Sequence, residues 1–252
     1  MLSSVLNSKL STPKDICLSD VKPERRQYLK KKYKVAVTDS NREAVGKGDI
    51  IILAIKPQNL AEIMADIKGH FKAGQLVISI IAGARIDTLR AGLDHKAVVR
   101  VMPNTPAQIG EGMSVWTATL EVTEAQKKVT GNILGSMGKQ IYLDDEKYLD
   151  MATAVSGSGP AYFFFFVEAL VEAAVQIGLS REVAEQLALQ TFVGSAQLLQ
   201  KSDRSPADLR KQVTSPGGTT AAAIARFEQG GLHKLVLDAV MAALNRAKEL
   251  GK

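Results

Sequence analysis

Residues 214–220, TSPGGTT, run straight into an alanine-rich stretch, AAAIARFEQGG. Two chemistries fit them. Pro216-Gly217 is a turn dipeptide, and Thr219 or Thr220 would cap the following helix as Ser or Asp do. Alternatively, Gly217 and Gly218 let an anion approach the backbone, where the free amides of a helix N-terminus favour negative charge. On the second reading, a side chain at Gly218 would fill the approach and demand a φ closed to it. These residues by themselves leave both readings open.

A second set of residues falls at strand ends. Asp20 follows ICLS, with Lys22, Arg25 and Arg26 close behind. In a dinucleotide-binding unit an acid there holds the ribose 2′-hydroxyl, and a nearby Arg accommodates a 2′-phosphate. AIKPQ places Ala54, Ile55, Lys56 and Pro57 at another strand end, the edge where open α/β folds bind ligands. Lys56 reads equally well as a surface lysine before a Pro-started helix. ISIIAGARI offers Ala82 and Gly83 at the next end, and VRVMPNTPA puts Pro103, Asn104, Thr105 and Pro106 in a stiff loop beyond a third.

The elements that must hold these residues alternate. Short apolar runs at 16–19, 35–37, 50–55, 76–80 and 98–101 read as strands, and 23–32, 41–47, 57–68 and 86–92 as helices between them. Such alternation implies crossovers and a parallel sheet. KQIYL reads as an edge strand. After DDEKYLD the pattern becomes helical, at 158–178, 181–201, 206–212, 219–229 and 232–250. The fold class is therefore an α/β Rossmann-type NAD(P)-binding domain over 1–145, followed by an all-α domain over 146–252. SGSGPAYFFFF reads as a second Ser/Gly turn opening a helix. Its FFFF run is apolar all round, so this helix should be buried, centrally or against a partner.

The acid of a dinucleotide motif lies about 20 residues after a glycine-rich turn. Counting back from Asp20 leaves the sequence, and MLSSVLNSKL reads as the later turns of an amphipathic helix. The first strand and glycine loop are thus expected to be missing. The 252-residue chain should then dimerise yet be poorly stable, with little reductase activity.

Composition narrows the classes. Residues 22–34, KPERRQYLKKKYK, hold seven bases and one acid, which matches the whole net charge of +6. This basic helix is a solvated face or a phosphate pocket; no aromatic platform accompanies it, so nucleic-acid binding is not expected. His70, His95 and His233 lack ligand spacing and Cys17 is the only cysteine, so no metal site is expected. Cys17 in DICLSD reads as a buried strand thiol, and a reducing cytoplasm is the default compartment. The most apolar run, AYFFFFVEALVEAAVQIGL, carries Glu168 and Glu172, and no signal peptide or membrane span is expected.

DIIILAIKPQ, VRVMPNTPA, AVSGSGPAYFF and SPGGTTAAAI, in this order and spacing, resemble pyrroline-5-carboxylate reductase. The resemblance spans the chain and implies reduction of 1-pyrroline-5-carboxylate to L-proline with NADPH (or NADH). It also implies a homodimer through the helical domain, open to higher assembly. It decides the opening question for the anion site. Ser215, Gly217, Gly218 and Thr219 would cradle the substrate carboxylate, with Thr220 near the ring nitrogen. Glu146 matches a family acid near cofactor and substrate and is, with Thr220, the catalytic candidate the resemblance implies, and Gln212 stands where some members carry Asn at the cofactor. Asn41, Ala54, Ile55, Lys56, Pro57 and the stretch Ile80, Ile81 and Ala82 match cofactor contacts, joining Asp20 and Arg25. The rival readings are a related 3-hydroxy acid dehydrogenase, which would want a lysine beside a glycine turn of the helical domain, and a non-catalytic scaffold that has lost its cofactor loop.

Overall fold

The computed structural model describes residues Met1–Gly251. The chain divides into two compact units: Met1–Ser158 together with the stretch from Ala243 onward, and Gly159–Ala242.

The first unit alternates strands and helices, an arrangement of the Rossmann type. After a short helix α1 (Leu2–Asn7), strand β1 (Cys17–Ser19) leads through α2 (Pro23–Tyr33) to β2 (Ala36–Thr38), which pairs with it in parallel. A second sheet contains β3 (Ile50–Leu53), β4 (Leu76–Ser79), β5 (Val98–Met102), β6 (Gly112–Ala118) and β7 (Gly138–Tyr142), in that spatial order. Helices α3 (Asn41–Lys47), α4 (Leu60–Ile67), α5 (Ile86–Leu93) and α6 (Glu124–Gly135) connect the strands. Among the described residues β1 pairs with β2 alone and β3 with β4 alone, so each leaves one edge open.

Burial follows the pleat. All four residues of β4 are buried, as a strand covered on both faces requires. Val77 joins Val45, Ile67, Leu89 and Leu93 in one core, while Leu76 and Ile78 join Trp116, Ile133 and Leu134 in the other. Helix starts are set by side chains that accept otherwise unpaired amides. Ser40 receives the Glu43 N–H, and Thr123 with Gln126 forms a capping box on α6. Lys34 and Asp94 end α2 and α5 in the left-handed conformation.

Two features correct the sequence reading. GMSVWTA forms β6, antiparallel to β5 and parallel to β7, where the loop signals of Pro103, Pro106 and Gly110 hid a strand. AVSGSGP is no open turn: α7 (Lys147–Ala152) passes into a π-helical turn (Thr153–Gly157), and a single bend residue, Ser158, precedes α8 (Gly159–Gln176).

The second unit contains α8, α9 (Arg181–Lys201), α10 (Pro206–Gln212), α11 (Thr219–Gln229) and α12 (Leu232–Leu250) up to Ala242. Ser180 and the Ser205–Asp208 capping box fix the starts of α9 and α10. Central burial of the FFFF run is not observed within one chain. Phe163, Phe164, Phe165 and Phe166 remain 46–71% exposed, while Val171, Ala184 and Ala188 form a small core. By length and composition alone the helical stretch Lys147–Gln176 could cross a membrane, a test that core helices also pass.

Gly138, at φ +137, starts β7, and a Cβ there would collide with the backbone of Gly112. Gly135 ends α6 with open space around its Cα. Gly138→Ala is therefore expected to lower unfolding stability by about 1–3 kcal/mol, and Gly135→Ala to raise it by about 0.4–1 kcal/mol. Denaturant melts of both variants check this; shifts of the same sign would contradict the backbone assignment.

Candidate active site

The first unit gathers one group of site residues at the carboxyl ends of its parallel strands. Asp20 follows β1, and its Oδ1 accepts the Lys22 N–H at 2.8 Å. Arg26 is committed to structure: Nη1 donates to the carbonyls of Asp20 (2.7 Å) and Val21 (3.1 Å), and Nη2 reaches Asp39 at 3.4 Å. Arg25 differs. It is exposed, with its guanidinium 5.2 Å from the Tyr28 ring centroid. Of the two arginines after β1, Arg25 is the exposed one.

Asn41 is held at both ends of its amide. Its Oδ1 accepts from the Ser19 hydroxyl at 2.7 Å, and its Nδ2 donates to Asp66 at 3.0 Å, tying the end of β1 to α3 and α4. Beyond β3, Ala54, Lys56 and Pro57 are exposed and Ile55 half-buried, with Pro57 opening a 3-10 turn. Beyond β4, Ile80 donates its N–H to Leu53 at 3.1 Å and Ala82 is exposed. Ile81 is 2% exposed and packs in the core, so only its backbone is available to a ligand. Cys17 lies in β1 but is half-buried, less enclosed than expected, and burial pushes its thiol up. Small side chains at two strand ends, an acid and an exposed Arg at a third suit one face of a dinucleotide.

Glu146 stands immediately before α7. Its Oε1 accepts from Arg100 Nη1 at 2.8 Å and from the Ile86 N–H at 2.8 Å, and Arg100 Nη2 donates to Asp150 at 3.1 Å. The sequence reading passed over Arg100 and Asp150. The available signal was an arginine inside the apolar strand VVRVM, since a charge in a buried strand needs partners. Asn104 lies in the stiff loop after β5, which the sequence leaves as either structure or a pocket wall. Its Oδ1 accepts the Met113 N–H at 2.8 Å and its Nδ2 donates to the Ser156 carbonyl at 3.1 Å, joining the β5–β6 loop to the π turn.

The second unit carries SPGGTT. The Gly218 N–H closes a turn on the Ser215 carbonyl at 3.0 Å, with Gly217 at φ +71. Gly218 is the N-cap of α11 at φ −79, a value open to any residue, so the expectation of a closed φ belongs to Gly217 instead. At Gly218 an added Cβ would press on the Ser215 carbonyl at 3.2 Å. Thr219 and Thr220 are the first two helical residues and cap nothing. The first helical bond from this end runs from Ala222 N–H to Gly218. Among the described residues, the amides of Thr219, Thr220 and Ala221 and both threonine hydroxyls have no acceptor. Gln212 lies exposed at the end of α10.

Residues 146–250 match the pyrroline-5-carboxylate reductase dimerisation family, and residues 1–83 the coenzyme F420-dependent NADP oxidoreductase family. A pyrroline-5-carboxylate reductase of Pseudomonas aeruginosa is 43% identical over 235 residues, 93% of this chain and 86% of that one. The structure of a pyrroline-5-carboxylate reductase from Coxiella burnetii superposes with a TM-score of 0.93 at 36% identity, covering 100% of this chain and 93% of the other. That of the Plasmodium falciparum pyrroline carboxylate reductase with NADP bound gives 0.88 at 33% identity, covering 99% and 92%. With its own carboxyl-edge residues, its uncapped α11 and these relatives taken together, the chain belongs to the pyrroline-5-carboxylate reductase family.

Proposed function

We propose that the chain reduces 1-pyrroline-5-carboxylate to L-proline, the last step of proline biosynthesis, with SPGGTT as the seat of the substrate carboxylate. The observation that carries this seat is the start of α11, where three successive amides lack acceptors behind a glycine turn. A carboxylate suits such amides because the partial positive charge of a helix N-terminus favours an anion. Ser215, Gly217, Gly218 and Thr219 form the cradle, and the free Thr220 hydroxyl is the donor or acceptor for the ring nitrogen. When bound, NADPH supplies the hydride. The chain's part is to orient and to stabilise, since an imine nitrogen can take its proton from solvent. No histidine is needed for that, and His70, His95 and His233 stay apart in sequence.

Asp20, Arg25, Asn41, Ala54, Ile55, Lys56, Pro57, Ile80, Ile81 and Ala82 are assigned to the cofactor, Ile81 through its backbone. Gln212 is kept as a further polar contact. Glu146 already serves Arg100 and Ile86, so its part is placement rather than proton transfer. The exposed Phe163–Phe166 run is assigned to a second copy of the chain, which makes the working form a homodimer. A cytoplasmic location accords with a single, part-exposed cysteine.

The assay that tests the reading follows NADPH oxidation with 1-pyrroline-5-carboxylate. It is run on the 252-residue chain and on one extended upstream by about 18–20 residues with a G-x-G-x-x-G/A turn. Substrate-dependent oxidation yielding L-proline in either form is expected; none in both would overturn the assignment. In the form that turns over, Thr220→Val is expected to lower kcat roughly ten- to a hundredfold, the worth of one hydrogen bond to a charged group, about 1.5–3 kcal/mol. Unchanged turnover would remove Thr220 from the mechanism. Arg25→Ala is expected to weaken NADPH much more than NADH, whereas Arg26→Ala, which frees the Asp20 and Val21 carbonyls, should weaken both. Equal effects of Arg25→Ala on the two cofactors would assign it to a solvated face.

A further inference from the structure

Among the described residues of the first unit Arg100 is the most deeply buried cation, 4% exposed at the centre of β5 between Ser79 of β4 and Thr117 of β6. A lone guanidinium there would be costly, and two carboxylates answer it. Glu146 and Asp150 lie four residues apart around the start of α7, the spacing that brings side chains to one helix face. Each takes one arm of the guanidinium fork, at 2.8 and 3.1 Å. Charge pairing does not account for the whole arrangement. The oxygen of Glu146 that receives Arg100 also receives the Ile86 N–H, 60 residues away in sequence.

Ile86 is the first residue of α5, and its N-cap, Arg85, makes no side-chain cap. Glu146 is therefore the cap of α5, delivered from a distant element with a full negative charge at the positive end of the helix. What this fixes is the segment before α5, Ile80–Arg85, which leaves the carboxyl end of β4. Its start is anchored by the Ile80 N–H on the Leu53 carbonyl and by the Ile81 N–H on the Ser79 hydroxyl, at 3.1 and 3.3 Å. Its end is anchored by Glu146. Arg100 decides whether the carboxylate is there to do this, because without the cation the part-buried Glu146 and the buried Asp150 would face each other as like charges.

We infer that Arg100 is a positioning residue for the cofactor: through Glu146 it pins the first amide of α5 and so sets the Ile80–Arg85 segment at the nucleotide-facing edge. Asp150 balances the charge but has no bond to Ile86. The inference rests on the cofactor assignment made above, and the two can be separated by experiment. Arg100→Lys keeps the charge but loses the fork that reaches both carboxylates. Asp150→Asn weakens the same buried cluster while leaving the Glu146–Ile86 bond intact.

Amide hydrogen exchange at Ile86 in the cofactor-free protein, melting temperature, and NADPH affinity by fluorescence titration are measured for Arg100→Lys, Glu146→Ala and Asp150→Asn. Arg100→Lys and Glu146→Ala are expected to speed exchange at Ile86 and to raise the NADPH Kd, each roughly tenfold, the scale of a charge-assisted hydrogen bond. Asp150→Asn is expected to lower the melting temperature with both of those readouts unchanged. Should the lysine variant fail to fold, Arg100→Gln is read in the same way. Affinity that simply tracks melting temperature across the variants, or parental exchange at Ile86 in the Arg100 variant, would overturn the inference. If the parent binds no NADPH, the cofactor assignment fails, and the exchange at Ile86 still decides the clamp.

Discussion

The first amides of a helix have no partners inside it, and each start must find acceptors elsewhere or meet a ligand. Much of this molecule follows from how that demand is met. In α3, α6, α9 and α10 a local Ser or Thr supplies the acceptor, and those helices begin where the capping residue stands. In α5 the acceptor is Glu146, brought in by the fold and held by a buried arginine. In α11 the cap is Gly218, which has no side chain to offer. The same backbone requirement thus produces ordinary structure, a long-range clamp and a candidate anion seat.

Helix bounds were legible to the residue with and without local caps: 41–47, 181–201 and 206–212 stand as observed in the capped α3, α9 and α10, and 219–229 and 232–250 in α11 and α12. The strands of the parallel sheet were legible because burial on both faces leaves continuous apolar runs such as DIIIL. β6 was not, since GMSVWTA lacks a clean alternation and begins just after two prolines and a glycine that signal a loop. The π turn at Thr153–Gly157 was hidden for a related reason. Ser and Gly suggest a break, yet Thr153 and Ser156 send their hydroxyls back to the carbonyls of Leu149 and Ala152 and stay within the helix.

The clamp was illegible on other grounds. Arg100, Glu146 and Ile86 are separated by 46 and 60 residues, and nothing in their local patterns links them. The resemblance pointed to Glu146 as an acid near cofactor and substrate; the geometry shows what its carboxylate touches. Gly83 is a similar case. Its φ of +77 marks a turn, but its contact with Leu250 arises because the end of α12 returns to the first unit. Sequence patterns report which residues want a turn, a cap or burial. Which distant group satisfies them depends on register and topology.

The helical unit poses the opposite question, since its apolar surface exceeds what it buries. Four consecutive phenylalanines stay largely exposed beside a core of three small or branched residues, so its stability must draw on surfaces outside a single chain. At the start of α11, by contrast, the open groups are polar, and a carboxylate is the ligand we propose for them. The most direct measurement is a backbone-amide NMR titration with L-proline, run in parallel with L-prolinamide, which lacks the carboxylate. The amides of Thr219, Thr220 and Ala221 are expected to show the largest shifts with L-proline and little change with the amide. Equal responses to the two ligands, or shifts that bypass α11, would contradict the seat assigned to SPGGTT.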